Sequence, residues 1–198
     1  MKITPTMSIS DAQTWRPGLR GLTDEDIIQW YHAVAGQLRP LSAMVEVGVW
    51  YGRSLLFAAS ELERRGLAHA QIYGVDPYGR PTAEGRVEVT SADYRGVLAG
   101  LAEHGTSAEL QHVSLLRCRS LEASYMFAAG SLDVVMIDGD HSEAAVAIDI
   151  AAWRRRVRPG GLLAGHDYGP MFPGVVGVVD SIGDRRRHLH GSVWWIEV

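Results

Sequence analysis

The chain is poor in the features that would commit it to a membrane, an oxidising compartment or a nucleic-acid partner. Its 198 residues include one cysteine, Cys118, so no intramolecular disulfide can form and a cytoplasmic home is the expectation. With Val113, Leu115 and Leu116 nearby, that thiol reads as a small core residue or a strand-end thiol rather than a nucleophile. No apolar run approaches the length of a bilayer-spanning helix, and the N-terminus lacks the apolar stretch of a signal peptide. Repeats and low-complexity tracts are missing as well. Positive charge is not in excess: the net charge is −4, so no global field favours nucleic acid or anionic lipid. Two arginine runs, 154–156 and 185–187, read as solvated ends of elements.

What is present is ordinary globular material, 46% hydrophobic and 21% charged, sufficient for one well-buried core. Residues 1–22, with Pro5, Pro17, Gly18 and Gly21, read as an irregular arm, and 23–198 as a single domain. Thr23 to Asp26 resembles a helix N-cap with an acidic first turn. Ile27, Tyr31, Val34 and Leu38 then share a helical face, which Pro40 ends. Short apolar runs at 43–47, 71–75, 110–116, 132–137 and 162–165 predict strands buried on both faces. Helical patterns at 54–65, 91–104, 121–129 and 142–157 lie between them. This alternation predicts a Rossmann-like α/β fold: a doubly wound, mostly parallel sheet with helices on both faces. The tail, 187–198, predicts an antiparallel hairpin turning at Gly191-Ser192.

In that fold ligands bind at the carboxyl ends of the strands, where the informative residues cluster. The first strand runs into Glu46-Val47-Gly48-Val49-Trp50-Tyr51-Gly52-Arg53-Ser54. Gly48 permits a sharp turn and close backbone approach to a ligand, and Gly52 a tight helix start. A dinucleotide fingerprint would need a third glycine, which is missing. Glu46 suits a cationic ligand, and the bland alternative is a turn that serves only the fold. The second strand ends at Asp76, 24 positions after Gly52, where a carboxylate accepts from ribose hydroxyls.

The glycine turn with Asp76 resembles the class I S-adenosylmethionine-dependent methyltransferases over about 41–174. The resemblance implies that Glu46, Gly48, Gly52 and Ser54 surround the methionine part of S-adenosylmethionine. It also implies that Asp76 holds the ribose and that Ser120 lies near the adenine. Further on, Ile137-Asp138-Gly139-Asp140-His141 and Gly165-His166-Asp167-Tyr168 end two strands expected to be neighbours. Carboxylates with an imidazole can hold a divalent ion such as Mg²⁺, which lowers the pKa of an acceptor hydroxyl. This pair of motifs is similar to the macrolide-sugar O-methyltransferases of natural-product pathways. That similarity implies Asp138, His166 and Asp167 as metal ligands and His141 as base, with Asp138 also touching the cofactor. His166 stands where that branch commonly has an acidic residue.

Four alternatives stay open at this point. Asp140 and Ser142 also suit capping of the following helix, and a metal-free site would use His141 or His166 as base. A nicotinamide-dependent dehydrogenase and a non-catalytic cofactor-binding module are the readings from other classes. The expected partner is a small hydroxylated acceptor such as a sugar or phenol, with a homo-oligomer left open. Trp50, Tyr51, Tyr168, Met171 and Phe172 suit either the walls of the site or packing, whereas Trp153 and Trp194 belong to the core.

Overall fold

The computed structural model describes residues 15–21, 24–79, 94–183 and 187–198. The expected arm lies within these bounds only at 15–21, and Thr23, Arg185 and Arg186 lie outside them. Seven strands form one sheet in the order β3-β2-β1-β4-β5-β7-β6. The parallel members are β1 (Ala43–Val47), β2 (Gln71–Val75), β3 (Val113–Leu116), β4 (Leu132–Ile137) and β5 (Val157–Gly165). The tail forms the expected hairpin: β6 (His188–His190) pairs antiparallel with β7 (Val193–Glu197), which pairs antiparallel with β5. Among the described residues no helix is long and apolar enough to cross a membrane.

Alternation along the buried strands sends successive side chains into two cores. Met44, Ile72, Val134 and Met136 face α1 (Glu25–Ala35), α2 (Arg53–Arg64) and α3 (Tyr94–His104). Val45, Val75, Val135 and Ile137 face the other side, with α5 (Ser120–Ser124), α6 (Glu143–Arg154) and α7 (Pro173–Ser181). The short α4 (Ser107–Leu110) precedes β3. Cys118 is buried in the second core, as its apolar neighbours imply.

Several boundaries differ from the sequence pattern for local reasons. Asp24 caps α1 by accepting from Ile27 N at 3.0 Å, but the helix ends at Ala35 with Gly36 as its C-cap. Leu38 therefore packs from outside the helix, well before Pro40. The apolar run at 110–116 is split: Thr106 and Glu109 form a capping box, so its first part turns as α4. The run after α6 begins earlier than expected, because a register shift between Leu132 and Val134 lets β5 start at Val157. Pro173 opens α7, which the scarcity of polar residues in 173–179 concealed.

The two tryptophans assigned to the core are there. Trp153, near the end of α6, is fully buried in the second core, with its indole N–H donating to Ser120 Oγ at 2.8 Å. Trp153→Ala is expected to cost about 3–5 kcal/mol, from lost burial and the cavity it leaves. Urea unfolding checks this, and a loss under about 1 kcal/mol would contradict it.

Candidate active site

β1 pairs with both β2 and β4, while the chain leaves β1 for β2 and returns to β4 only later. This is the point where strand order reverses, and it opens a crevice at the carboxyl ends. Hydrogen bonding continues one residue past each strand: Gly48 N to Val75 O, Asp138 N to Val47 O and His166 N to Ile137 O. The four ends are thereby held level. Gly48 has φ +87°, and a Cβ there would sit 2.0 Å from the carbonyl oxygen of Asp138. Only glycine lets the β1 turn pass so close to β4.

Backbone strain gathers at these strand ends. Trp50, Tyr78 and Asp167 all have left-handed φ, at 49°, 43° and 58°. Bulky side chains rarely adopt that region, and surroundings that enforce it are concentrated at functional sites. Asp76 is the brace for two of the three. Its Oδ2 accepts from Val49 N and Trp50 N at 3.1 and 2.9 Å, and its Oδ1 from Tyr78 N at 2.9 Å. A carboxylate has about four acceptor positions, so capacity remains for one ligand hydroxyl.

Glu46 lies beneath the turn. It is fully buried, its Oε2 accepting from the Tyr31 hydroxyl at 2.5 Å and its Oε1 from the Ser54 hydroxyl at 2.9 Å. Burial pushes its carboxyl up to about 8; the two hydroxyls oppose the rise, and Asp138 and Asp76 add to it. Ser120 is also turned inward, donating to Asp149 Oδ1 at 2.5 Å. Glu46, Ser54 and Ser120 thus already have protein partners; Gly48 is part-exposed at the turn, whereas Gly52 is buried against Leu101 with its N–H donating to Val49 O at 2.8 Å. Tyr78 supplies the opposite case: its ring is buried, and among the described residues its hydroxyl has no hydrogen-bond partner. Burial, then Asp76 and Glu46, hold that hydroxyl protonated, so it is a spare donor.

On the other side of the crevice, Asp138, His141 and Asp167 each offer a ligand atom, all within 4.8 Å of one another. His141 Nε2 lies 2.7 Å from Asp167 Oδ2, and that carboxylate is the chief cause of the raised His141 pKa. Phe172 packs on the His141 ring, with centroids 4.3 Å apart. Asp140 accepts from Ser142 N, and Ser142 caps α6, so both serve the helix start. Tyr168 joins its hydroxyl to Asp180, and Met171 is exposed.

His166 is placed differently from His141. Its Nδ1 lies 3.4 Å from Asp138 Oδ1 and 3.3 Å from Asp167 Oδ1, while its Nε2 lies 2.9 Å from Asp24 Oδ2 and 2.9 Å from Ser192 Oγ. Burial opposes a charge there, but hydrogen bonds to Asp138, Asp167 and Asp24 raise the pKa to about 12. Burial also opposes ionisation of Asp167, yet His141 and His166 hold it well below the usual carboxylate range. Asp138 moves the other way, raised by burial with His166 opposing. Asp24 and Ser192 carried no functional signal in the sequence beyond a helix cap and a turn.

The Glu46 shift has a consequence for stability. Between about 4.5 and about 8 the folded chain holds a proton that the unfolded chain has released, so stability falls as pH rises across that window. Glu46→Gln removes this contribution, on the order of a few kcal/mol. Thermal unfolding from pH 5 to pH 8 should show a steeper decline for the parent protein than for the variant. Parallel declines would contradict a buried, proton-holding Glu46.

The arrangement has clear relatives. A family model described as a methyltransferase domain matches residues 45–168. No curated protein matches the sequence. A Corynebacterium glutamicum protein of known structure superimposes with a TM-score of 0.64 at 16% identity, over 95% of this chain and 85% of its own. The O-methyltransferase NovP gives 0.63 at 18% identity, over 87% and 78%. MycE, a methyltransferase of mycinamycin biosynthesis solved with Mg, SAH and mycinamycin VI, gives 0.59 at 18%, over 98% and 54%. With the family match spanning more than half of the sequence, the chain belongs to the methyltransferase-domain family and has the Rossmann-like fold of the class I enzymes.

Proposed function

We propose that the protein transfers the methyl group of S-adenosylmethionine to a hydroxyl of a small molecule, a sugar or phenolic group of a secondary metabolite. The observation that carries this reading is the meeting of Asp138, His141 and Asp167 beside the Gly48 turn. The sulfonium of the donor supplies an already activated methyl group, so the protein's task is alignment and removal of the acceptor proton. Gly48 admits the methionine portion, Gly52 sets the tight helix start behind it, and Asp76 with the Tyr78 hydroxyl offers an acceptor and a donor for the ribose. Glu46 supports the turn from below through Tyr31 and Ser54.

Two carboxylates suit a Mg²⁺ ion, which commonly keeps several waters and takes one or two protein carboxylates. Asp138 and Asp167 would hold it. A bound divalent ion would lower the pKa of the acceptor hydroxyl. His141, oriented by Asp167, then takes the proton. His166 fits a third ligand poorly, since both nitrogens already face carboxylates. A specific observation also favours a second, metal-free reading. An imidazolium at His166 already offsets part of the charge of Asp138 and Asp167, leaving His141 as base without an ion. NovP and MycE support the hydroxyl as acceptor only by likeness of fold. A cytoplasmic location fits the same picture.

The test is transfer from S-adenosylmethionine across a panel of sugar and phenol acceptors. His141→Gln should lower turnover by about 10²–10⁴-fold with S-adenosylhomocysteine binding retained. EDTA should abolish transfer and Mg²⁺ restore it; transfer indifferent to EDTA but lost in His141→Gln establishes the metal-free reading. Failure to bind S-adenosylhomocysteine would refute both.

A further inference from the structure

Helix α6 is apolar on the side that should face water. Between Glu143 and Arg154 it reads Ala-Ala-Val-Ala-Ile-Asp-Ile-Ala-Ala-Trp, and its one charged residue there, Asp149, is buried. Asp149 accepts from Ser120, so its charge belongs to the interior. Ala144, Ala147, Ile148 and Ala151 are exposed, Ile148 by 50%. A helix that is apolar all round is normally covered on all sides. Beside it α5 exposes Leu121, and Tyr125 and Met126 just beyond its end are more exposed still. A groove of about 260 Å³ runs between the two helices, lined by Leu121, Tyr125, Ile148, Ala151 and Arg155 among others.

The charges at the helix ends indicate what covers this face. Glu143 is the first residue of α6 and Arg154 the last. They are eleven residues apart, close to three whole turns, so they lie on one flank. Ile148 lies midway along the axis but about 120–140° around the helix from that flank, with the exposed Ala144, Ala147 and Ala151 between the two edges. A two-fold axis at Ile148 would set a second copy of α6 antiparallel on the first. Each Glu143 then meets Arg154 of the other copy, Ile148 packs on Ile148, and the alanines allow close approach of the helices. Leu121 and Tyr125 flank the partner helix from α5. The pattern is complementary to itself, as an isologous contact requires.

We propose that the protein forms a homodimer through the α5–α6 face, with α6 antiparallel to its copy about an axis at Ile148. This surface lies on the sheet face away from α1 and α2, and the inference rests neither on the acceptor nor on any metal.

Sedimentation equilibrium of the full chain at micromolar concentration should return twice the mass of 21.7 kDa. Ile148→Glu should weaken association at least about tenfold. Glu143→Arg alone should also weaken it, and Glu143→Arg combined with Arg154→Glu should restore it, since the swapped pair remakes the contact. Thermal unfolding identifies any variant that has not folded, and the charge pair decides the matter if Ile148→Glu is one. A monomeric parent protein would overturn the proposal. So would a dimer indifferent to Ile148→Glu, or a charge-swapped double variant that associates no better than Glu143→Arg.

Discussion

The close pass of Gly48 over the Asp138 carbonyl is the constraint on which the site depends. Two adjacent parallel strands reach their carboxyl ends at the same level, and the chain leaves them in different directions. A side chain at Gly48 would occupy the position of the β4 backbone, so the turn and the β4 loop are fitted to one another. Everything nearby inherits that geometry. The left-handed backbones at Trp50 and Tyr78 persist because Asp76 holds the amides of Val49, Trp50 and Tyr78. Strain of this kind, of order 1–3 kcal/mol per residue, is tolerated when the surroundings over-determine it.

Charge is the second organising element. Glu46, Asp76, Asp138 and Asp167 converge on one crevice, and each is accommodated by different means. Two hydroxyls and a raised pKa serve Glu46; backbone amides serve Asp76; imidazoles serve Asp138 and Asp167. His166 also acts at longer range. Its Nε2 meets Asp24, the cap of α1, and Ser192, in the β6–β7 turn. Asp26 adds to this junction by accepting from Ser192 N. The N-terminal helix and the C-terminal hairpin are thus joined at the edge of the crevice by polar contacts between residues far apart in sequence.

Much of the fold was legible because periodicity and turn chemistry agree. The runs at 43–47, 71–75 and 132–137 became strands with those bounds, and the Gly191-Ser192 turn placed the hairpin. Boundaries failed where a local competitor intervened: Gly36 ended α1 early, and the Thr106 capping box curled the start of the run before β3. The residues at the site were legible as a group, since strand-end carboxylates and histidines gather wherever this sheet reverses its order. Their individual surroundings were not. Spacing alone does not reveal that Tyr31 and Ser54 enclose Glu46, that Ser120 faces Asp149, or that Asp24 reaches His166 across 142 residues. Those facts depend on how elements distant in sequence pack.

The most direct test of this account is a crystal structure with S-adenosylhomocysteine bound. The account places the homocysteine portion against the backbone of the Gly48–Gly52 turn, the ribose hydroxyls at Asp76 and the Tyr78 hydroxyl, and the sulfur toward His141. Density for the ligand away from that turn, or a ribose out of reach of Asp76, would contradict it.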